Sequence, residues 1–262
     1  MKLMLIAISV LLLAPNFFNV HLADKPQYDK KELFDSKLAY INSTEKLIEV
    51  ADSIAAKNNT PQGSLPYAVI VSKILRERFY HGFSTYPVNQ NWIAAAGGDL
   101  FGYGLASIVN PDDILKYSYG GCSQQAIVLM EAMKRKNISY RSIGFPHHYA
   151  TELKINGSWY FFDPNMEPNI SDSDRIESNW NCNADNLKKY YDTTRYTNLD
   201  WMFGKNLKVG VGETNAVIAP NIKVFHTATG YLSKTLWIFP LVFIFYRRRK
   251  ITNQAKYFTP NY

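Results

Sequence analysis

Asn156-Gly157 is the feature that most constrains how this chain can fold. An Asn-Gly pair supplies two residues that tolerate positive φ, which is what a two-residue hairpin turn demands. It stands between two runs of strand character, 148–155 and 158–162. The second run carries Trp159, Phe161 and Phe162 and stops at Asp163-Pro164. Upstream, 139–145 reads as one more strand. Ahead of it, Ala126, Ile127, Leu129, Met130 and Met133 recur on one side of a helix that begins after Gly120-Gly121-Cys122. Lys134, Arg135 and Lys136 fall in its last turn, where cations suit the negative end of the helix dipole. A helix followed by an antiparallel sheet predicts an α+β domain.

That layout has chemical consequences. A hairpin turning at Asn156-Gly157 sets the start of its first strand beside the end of its second. His147 and His148 therefore neighbour Asp163, at the end away from the turn. Cys122 occupies the first turn of a helix, where free N–H groups and partial positive charge favour thiolate over thiol. The two glycines before it leave room for a substrate to approach the sulfur, and the same N–H groups can hold an oxyanion. A thiolate, an imidazole partner and a carboxylate that orients the imidazole make up the machinery of nucleophilic acyl transfer. Taken singly, a cysteine at a helix start is usually a small buried residue and an Asp-Pro is usually a turn. Their order and their placement on elements give the set its weight.

Residues 120–164 resemble the core of the transglutaminase-like superfamily of papain-like thiol enzymes. That core has a cysteine at a helix start after glycine, then H-x-W-x-E-V, a turn, and W-x-x-x-D-P. Here the text is G-G-C-S-Q-Q, HYATEL, NG and WYFFDP, with His148, Glu152, Gly157, Trp159, Asp163 and Pro164 in register. The resemblance implies a transglutaminase-like (papain-like) α+β fold, in which the cysteine-bearing helix packs on an antiparallel sheet bearing His and Asp. It implies Cys122, His148 and Asp163 as the catalytic set, with no metal and no cofactor. It further implies a peptide or protein substrate, attacked at an amide through an acyl-cysteine and released to water or to an amine. Ala150 stands where the family often has Trp. Reading His147 as the histidine would put Tyr149 there but would throw Glu152 and Asp163 out of register, so His148 is preferred and His147 is the alternative. For the family's upstream oxyanion donor the candidates are Trp92 and Gln90, with Gln124 or Gln125 as substitutes. Glu152 reads as structural and Trp159 as core. A second functional reading stays open: a catalytically inactive binding or assembly module at the cell surface, suggested by Ala150.

Both ends carry membrane signals. Residues 1–23 combine Lys2 with an apolar run, the layout of a signal peptide or an uncleaved anchor; Ala23 is a possible cleavage point. Residues 236–246 read LWIFPLVFIFY and are followed by Arg247-Arg248-Arg249-Lys250. A basic cluster after an apolar run is a cytoplasmic stop signal. Counted from Tyr231 the run is short against the ~20 residues of a spanning helix, although Lys234 can snorkel. The expectation is a transmembrane segment at 231–246 and a basic cytoplasmic tail at 247–262. A transglutaminase-like domain at 24–230, with its core at about 66–165, then lies outside the cytoplasm. A sorting tail removed by processing is the other reading of the C-terminal run.

The net charge of +7 suggests nucleic acid, but six basic residues sit in the two end segments. Setting them aside leaves 23 basic against 22 acidic residues, so composition gives no reason to expect nucleic acid as a partner. The two cysteines, Cys122 and Cys182, can alternatively form a disulfide in an exported protein. That would consume the nucleophile. Elsewhere the pattern predicts helices within 38–54, at 66–79 and at 183–191. It predicts loops through 81–119, a helix start at Asn110-Pro111, and strands at 205–211 and 218–225. Tyr190, Tyr191, Tyr196, Trp201 and Phe203 read as core, with the lining of a substrate groove as the alternative.

Overall fold

The computed structural model describes residues 1–181, 184–204 and 209–257. Its four strands are β1 (Ser139–Gly144), β2 (Tyr149–Ile155), β3 (Ser158–Phe162) and β4 (Gly210–Val211). They form an antiparallel sheet in the order β3-β2-β1-β4. Ile155 pairs with Ser158 across the turn, where Asn156 and Gly157 take φ of 49° and 86°. Both values lie in the left-handed region that the turn requires, and glycine enters it without steric cost.

The helices are α1 (Lys2–Leu13), α2 (Thr44–Lys57), α3 (Leu65–Arg78), α4 (Val88–Phe101), α5 (Pro111–Ile114) and α6 (Cys122–Arg135), then α7 (Glu177–Trp180), α8 (Ala184–Lys188), α9 (Leu199–Phe203), α10 (Pro220–Thr235) and α11 (Ile238–Tyr257). The fold is thus α+β. It divides into two units, one built from 25–84 and 108–220, the other from 1–24, 85–107 and 221–262.

The first unit holds the whole sheet. In it α6 lies on β1 and β2, and α2 and α3 pack on each other and on α6. Ser43 caps α2 by accepting the Lys46 N–H at 3.2 Å, and Ser64 caps α3 through Tyr67 N–H at 3.3 Å, with Pro66 in the first turn. Arg78 is fully buried and donates to the carbonyls of Ile41 (3.0 Å), Tyr117 (3.0 Å) and Leu115 (2.8 Å). A buried guanidinium is tolerable only when its N–H groups are spent in this way; here it ties two loops to the end of α3. Ile143, Ala150 and Phe161 of the sheet gather with Phe145, Trp180 and Phe203 in one buried cluster.

The second unit corrects the sequence reading. The stretch 85–107, expected as loop within the central domain, carries α4 and groups with the terminal segments. Pro87 and Gly97-Gly98 disguised this helix, and it is broken at Asn91 (φ −151°, ψ 78°). The Asn91 side chain makes good the break: its amide donates to Thr229 Oγ1 (2.9 Å), and its Oδ1 accepts the Ala94 N–H (3.1 Å) and the Ser233 hydroxyl (3.2 Å). The strand expected at 218–225 is instead the start of α10, led by Pro220. Of 205–211, residues 209–211 fall within the described residues, and β4 takes the last two.

Among the described residues no single helix is long and apolar enough to cross a membrane. The α10 helix and residues 238–250 pass that test as a pair bent by 54°. α1 packs along α11, and Met1 Sδ meets the Arg247 guanidinium. Leu3, Leu11, Phe239, Val242 and Phe245 point outward from these two helices.

Candidate active site

Cys122 is the first residue of α6 and Gly121 its cap. A β-carbon at Gly121 would come within 2.6 Å of the Phe83 ring, so only glycine fits this approach. The start of the helix is fixed by Gln124. Its Oε1 accepts the N–H groups of Ser84 (2.9 Å) and Gly121 (3.1 Å), and its Nε2 donates to the carbonyls of Ser84 (2.9 Å) and Ile108 (2.8 Å). Gln125 donates to the Gly120 carbonyl (2.8 Å) and to Asn165 Oδ1 (2.9 Å). Cys122 itself is a free thiol with partial solvent access.

His148 closes the turn between β1 and β2, where its carbonyl accepts the Phe145 N–H at 2.8 Å. Asp163 follows directly on β3. Register therefore brings the two to the same end of the sheet, and His148 Nε2 meets Asp163 Oδ2 at 2.7 Å. Both side chains are shut off from solvent. Phe203 packs edge-on to the imidazole at 5.3 Å, and Phe145 lies nearly parallel to it at 6.3 Å. Burial alone would push the His148 ring down. The Asp163 carboxylate, through charge and hydrogen bond, outweighs that, and Cys122 adds to it, so the ring is raised to about 10. The Cys122 side chain thus acts on the same ring that Asp163 holds. Nδ1, the nitrogen not used by Asp163, has no hydrogen-bond partner among the described residues; bonds of this kind often close only once substrate binds.

Asp163 is held from several sides. Tyr191 donates its hydroxyl to Oδ2 at 2.9 Å, and the N–H groups of Asn165 and Met166 both reach Oδ1 at 3.2 Å. Burial, then the Asp163 charge, pushes the Tyr191 phenol well up, which keeps it a hydrogen-bond donor. Behind Asp163, its own N–H reaches Glu167 Oε2 at 3.3 Å. Glu167 in turn takes the Ser72 hydroxyl at 2.5 Å and the Arg175 guanidinium at 2.6 Å. Burial pushes the Glu167 carboxyl up, and the Arg175 charge opposes that. A buried ion pair of this kind is weak as a source of net stability but costly to break on one side, so it fixes the loop that carries Asp163.

The other expected residues are placed as follows. His147 is exposed and stacks flat on Trp201 at 4.1 Å, so it is His148, not His147, that meets Asp163. Trp92 and Gln90 belong to the unit without the sheet; the Trp92 indole N–H donates to the Ser233 carbonyl at 3.1 Å, and Gln90 is exposed. Gln124 and Gln125 are buried, and the amide N–H groups of both go to protein acceptors. Glu152 is buried and bonded to Arg141 (2.7 Å) and Trp180 (3.1 Å). Trp159 is half-buried under the Arg141 guanidinium at 4.3 Å rather than in the core. Phe203 and Tyr191 are core, whereas Trp201 is 61% exposed. Cys182 lies outside the described residues.

Sequence reasoning missed Tyr191 and the group of Glu167, Arg175 and Ser72. The spacing of Glu167 four residues after Asp163 was a usable signal. Tyr191, 28 residues beyond Asp163, gave none. Tyr149 was passed over too: burial pushes its phenol up, a Ser142 hydrogen bond opposes this, and Cys122 adds to the rise. Among the described residues, no three His, Cys, Asp or Glu side chains gather as a metal site. Comparison with models of known families gives no match, and neither does comparison with curated proteins or with solved structures.

Proposed function

We propose that the chain is a thiol acyl-transfer enzyme of the transglutaminase-like type, acting on amide bonds of a peptide or protein. The observation that carries this reading is the buried 2.7 Å bond between His148 and Asp163, on a ring that also responds to Cys122. The Cys122 sulfur attacks the carbonyl carbon and the carbonyl electrons move to oxygen. Free N–H groups of the first turn of α6 face the developing oxyanion. As the C–N bond breaks, His148 gives its proton to the leaving amine, while Asp163 holds the ring. Water or a second amine then attacks the thioester and yields a proton to His148, and the C–S bond breaks. The reaction asks no redox partner.

The apolar outward faces of α1 and α11 and the arginines at 247–249 support attachment to a membrane, with the domain at 24–230 outside the cytoplasm. An inactive binding module is the second reading, favoured by the unbonded Nδ1. One assay separates the two. Treated with p-nitrophenyl acetate, the enzyme releases a burst of nitrophenolate and carries an acetyl group on Cys122 by mass spectrometry. Cys122→Ala does neither. Acetylation confined to lysines, with no burst, leaves only the binding module.

A further inference from the structure

A cavity of about 280 Å³ lies within the unit of 25–84 and 108–220. Phe79, Met166, Tyr196, Trp201 and Met202 give it an apolar wall, and Arg76 and Arg195 line it as well. Four contacts join it to the site above. Met166 and its neighbour Asn165, both lining the cavity, donate their N–H groups to Asp163. Met202 accepts the His147 N–H at 3.1 Å. Phe79 lies against Gly120, where a β-carbon would stand 3.4 Å from its ring. The cavity therefore borders both the turn that holds Asp163 and the backbone that leads into Cys122.

Its two guanidiniums are partly open, with side chains 18% and 29% accessible. Arg76 donates to the Glu167 carbonyl at 3.2 Å and meets Glu77 at 3.3 Å. Among the described residues Arg195 pairs with Asp192 at 3.5 Å. A guanidinium carries five N–H donors, and its planar fork fits a carboxylate better than any other common group. Asp29, Glu32 and Lys31 also line the cavity. Glu32 already accepts the His81 N–H, and burial pushes its carboxyl up. The Tyr196 phenol reports the same field: burial and then Asp163 raise it, to about 12, while Arg76 and Arg195 oppose the rise.

The geometry points to this cavity as a subsite for a carboxylate on the substrate, seated between Arg76 and Arg195 with its apolar stem on the aromatic wall. The inference rests on the acyl-transfer reading and adds a substrate class: amides that carry a carboxylate near the reacting bond, on an acidic side chain or at a chain end. Three fluorescein-labelled peptides of one length test it on full-length Cys122→Ala in detergent, by fluorescence anisotropy. One has an internal glutamate and an amidated end, one has neutral side chains and a free carboxyl end, and one is neutral and amidated. At least one acidic peptide is expected to bind roughly tenfold tighter than the neutral one, and which one does so names the source. Arg195→Gln and Arg76→Gln each remove the preference; Arg195→Met, similar in length and uncharged, serves if either variant unfolds. Equal binding of all three peptides, no binding at all, or a preference that survives in every folded variant overturns the subsite. Because the assay uses no turnover, its outcome is independent of the acetylation burst that tests the enzymatic reading.

Discussion

Four donors converge on Asp163: the His148 ring, the Tyr191 hydroxyl and the N–H groups of Asn165 and Met166. A carboxylate so surrounded holds its neighbour in one orientation, which is what a proton-transferring imidazole needs. The His148 ring is raised from 6.5 to about 10 by Asp163 and Cys122 against the opposing effect of burial. A raised folded value stabilises the protein fully below the unfolded value, and that contribution is lost as pH climbs through the folded one. Between roughly pH 6.5 and 10 the native chain is therefore expected to lose stability that His148→Gln never had. Thermal melts of the two proteins across that window check this. Parallel curves would mean that the ring carries no such linkage.

At the scale of elements, the active end of the sheet depends on how closely α6 can start against its surroundings. Gly121→Ala forces a β-carbon to 2.6 Å from Phe83. The expected cost is about 1–3 kcal/mol, as for other overpacked sites, with lower Cys122 reactivity because the helix start must shift. A melting curve and an alkylation rate measured on the same variant read both effects; a variant like the native protein in each would show that the loop yields freely. Much of this scale was legible beforehand. The Asn156-Gly157 turn set the register, and register alone brings His148 to Asp163. The cysteine helix announced itself by periodicity after two glycines. What was illegible had physical causes. α4 hides behind Pro87, Gly97-Gly98 and a break that only the tertiary bonds of Asn91 make tolerable. The apolar residues 217, 218 and 224 mimic a strand, yet Pro220 opens a helix there. The partner of Trp92, Ser233, is 141 residues away and leaves no local trace in the sequence.

In the proposed reading, the sheet-bearing unit carries the thiol site and the terminal helices attach to a membrane. The outward apolar side chains of α1 and α11 and the basic run from Arg247 to Lys250 belong together in this view. The full chain is expected to stay with membranes through an alkaline carbonate wash, and a membrane-impermeant maleimide added from outside intact cells should label Cys122. Release by the wash, or labelling only after lysis, would refute the assigned location while leaving the chemistry of the site untouched.

The central claim is that Cys122 and His148 work as one unit. Alkylation of Cys122 by iodoacetamide, followed as a function of pH in the native chain and in His148→Ala, tests it most directly. The account predicts rapid alkylation near neutral pH in the native chain that falls, in the variant, to the rate and pH profile of an ordinary free cysteine, which titrates near ~8.5. A native chain that already follows the ordinary profile, with or without His148, would contradict it.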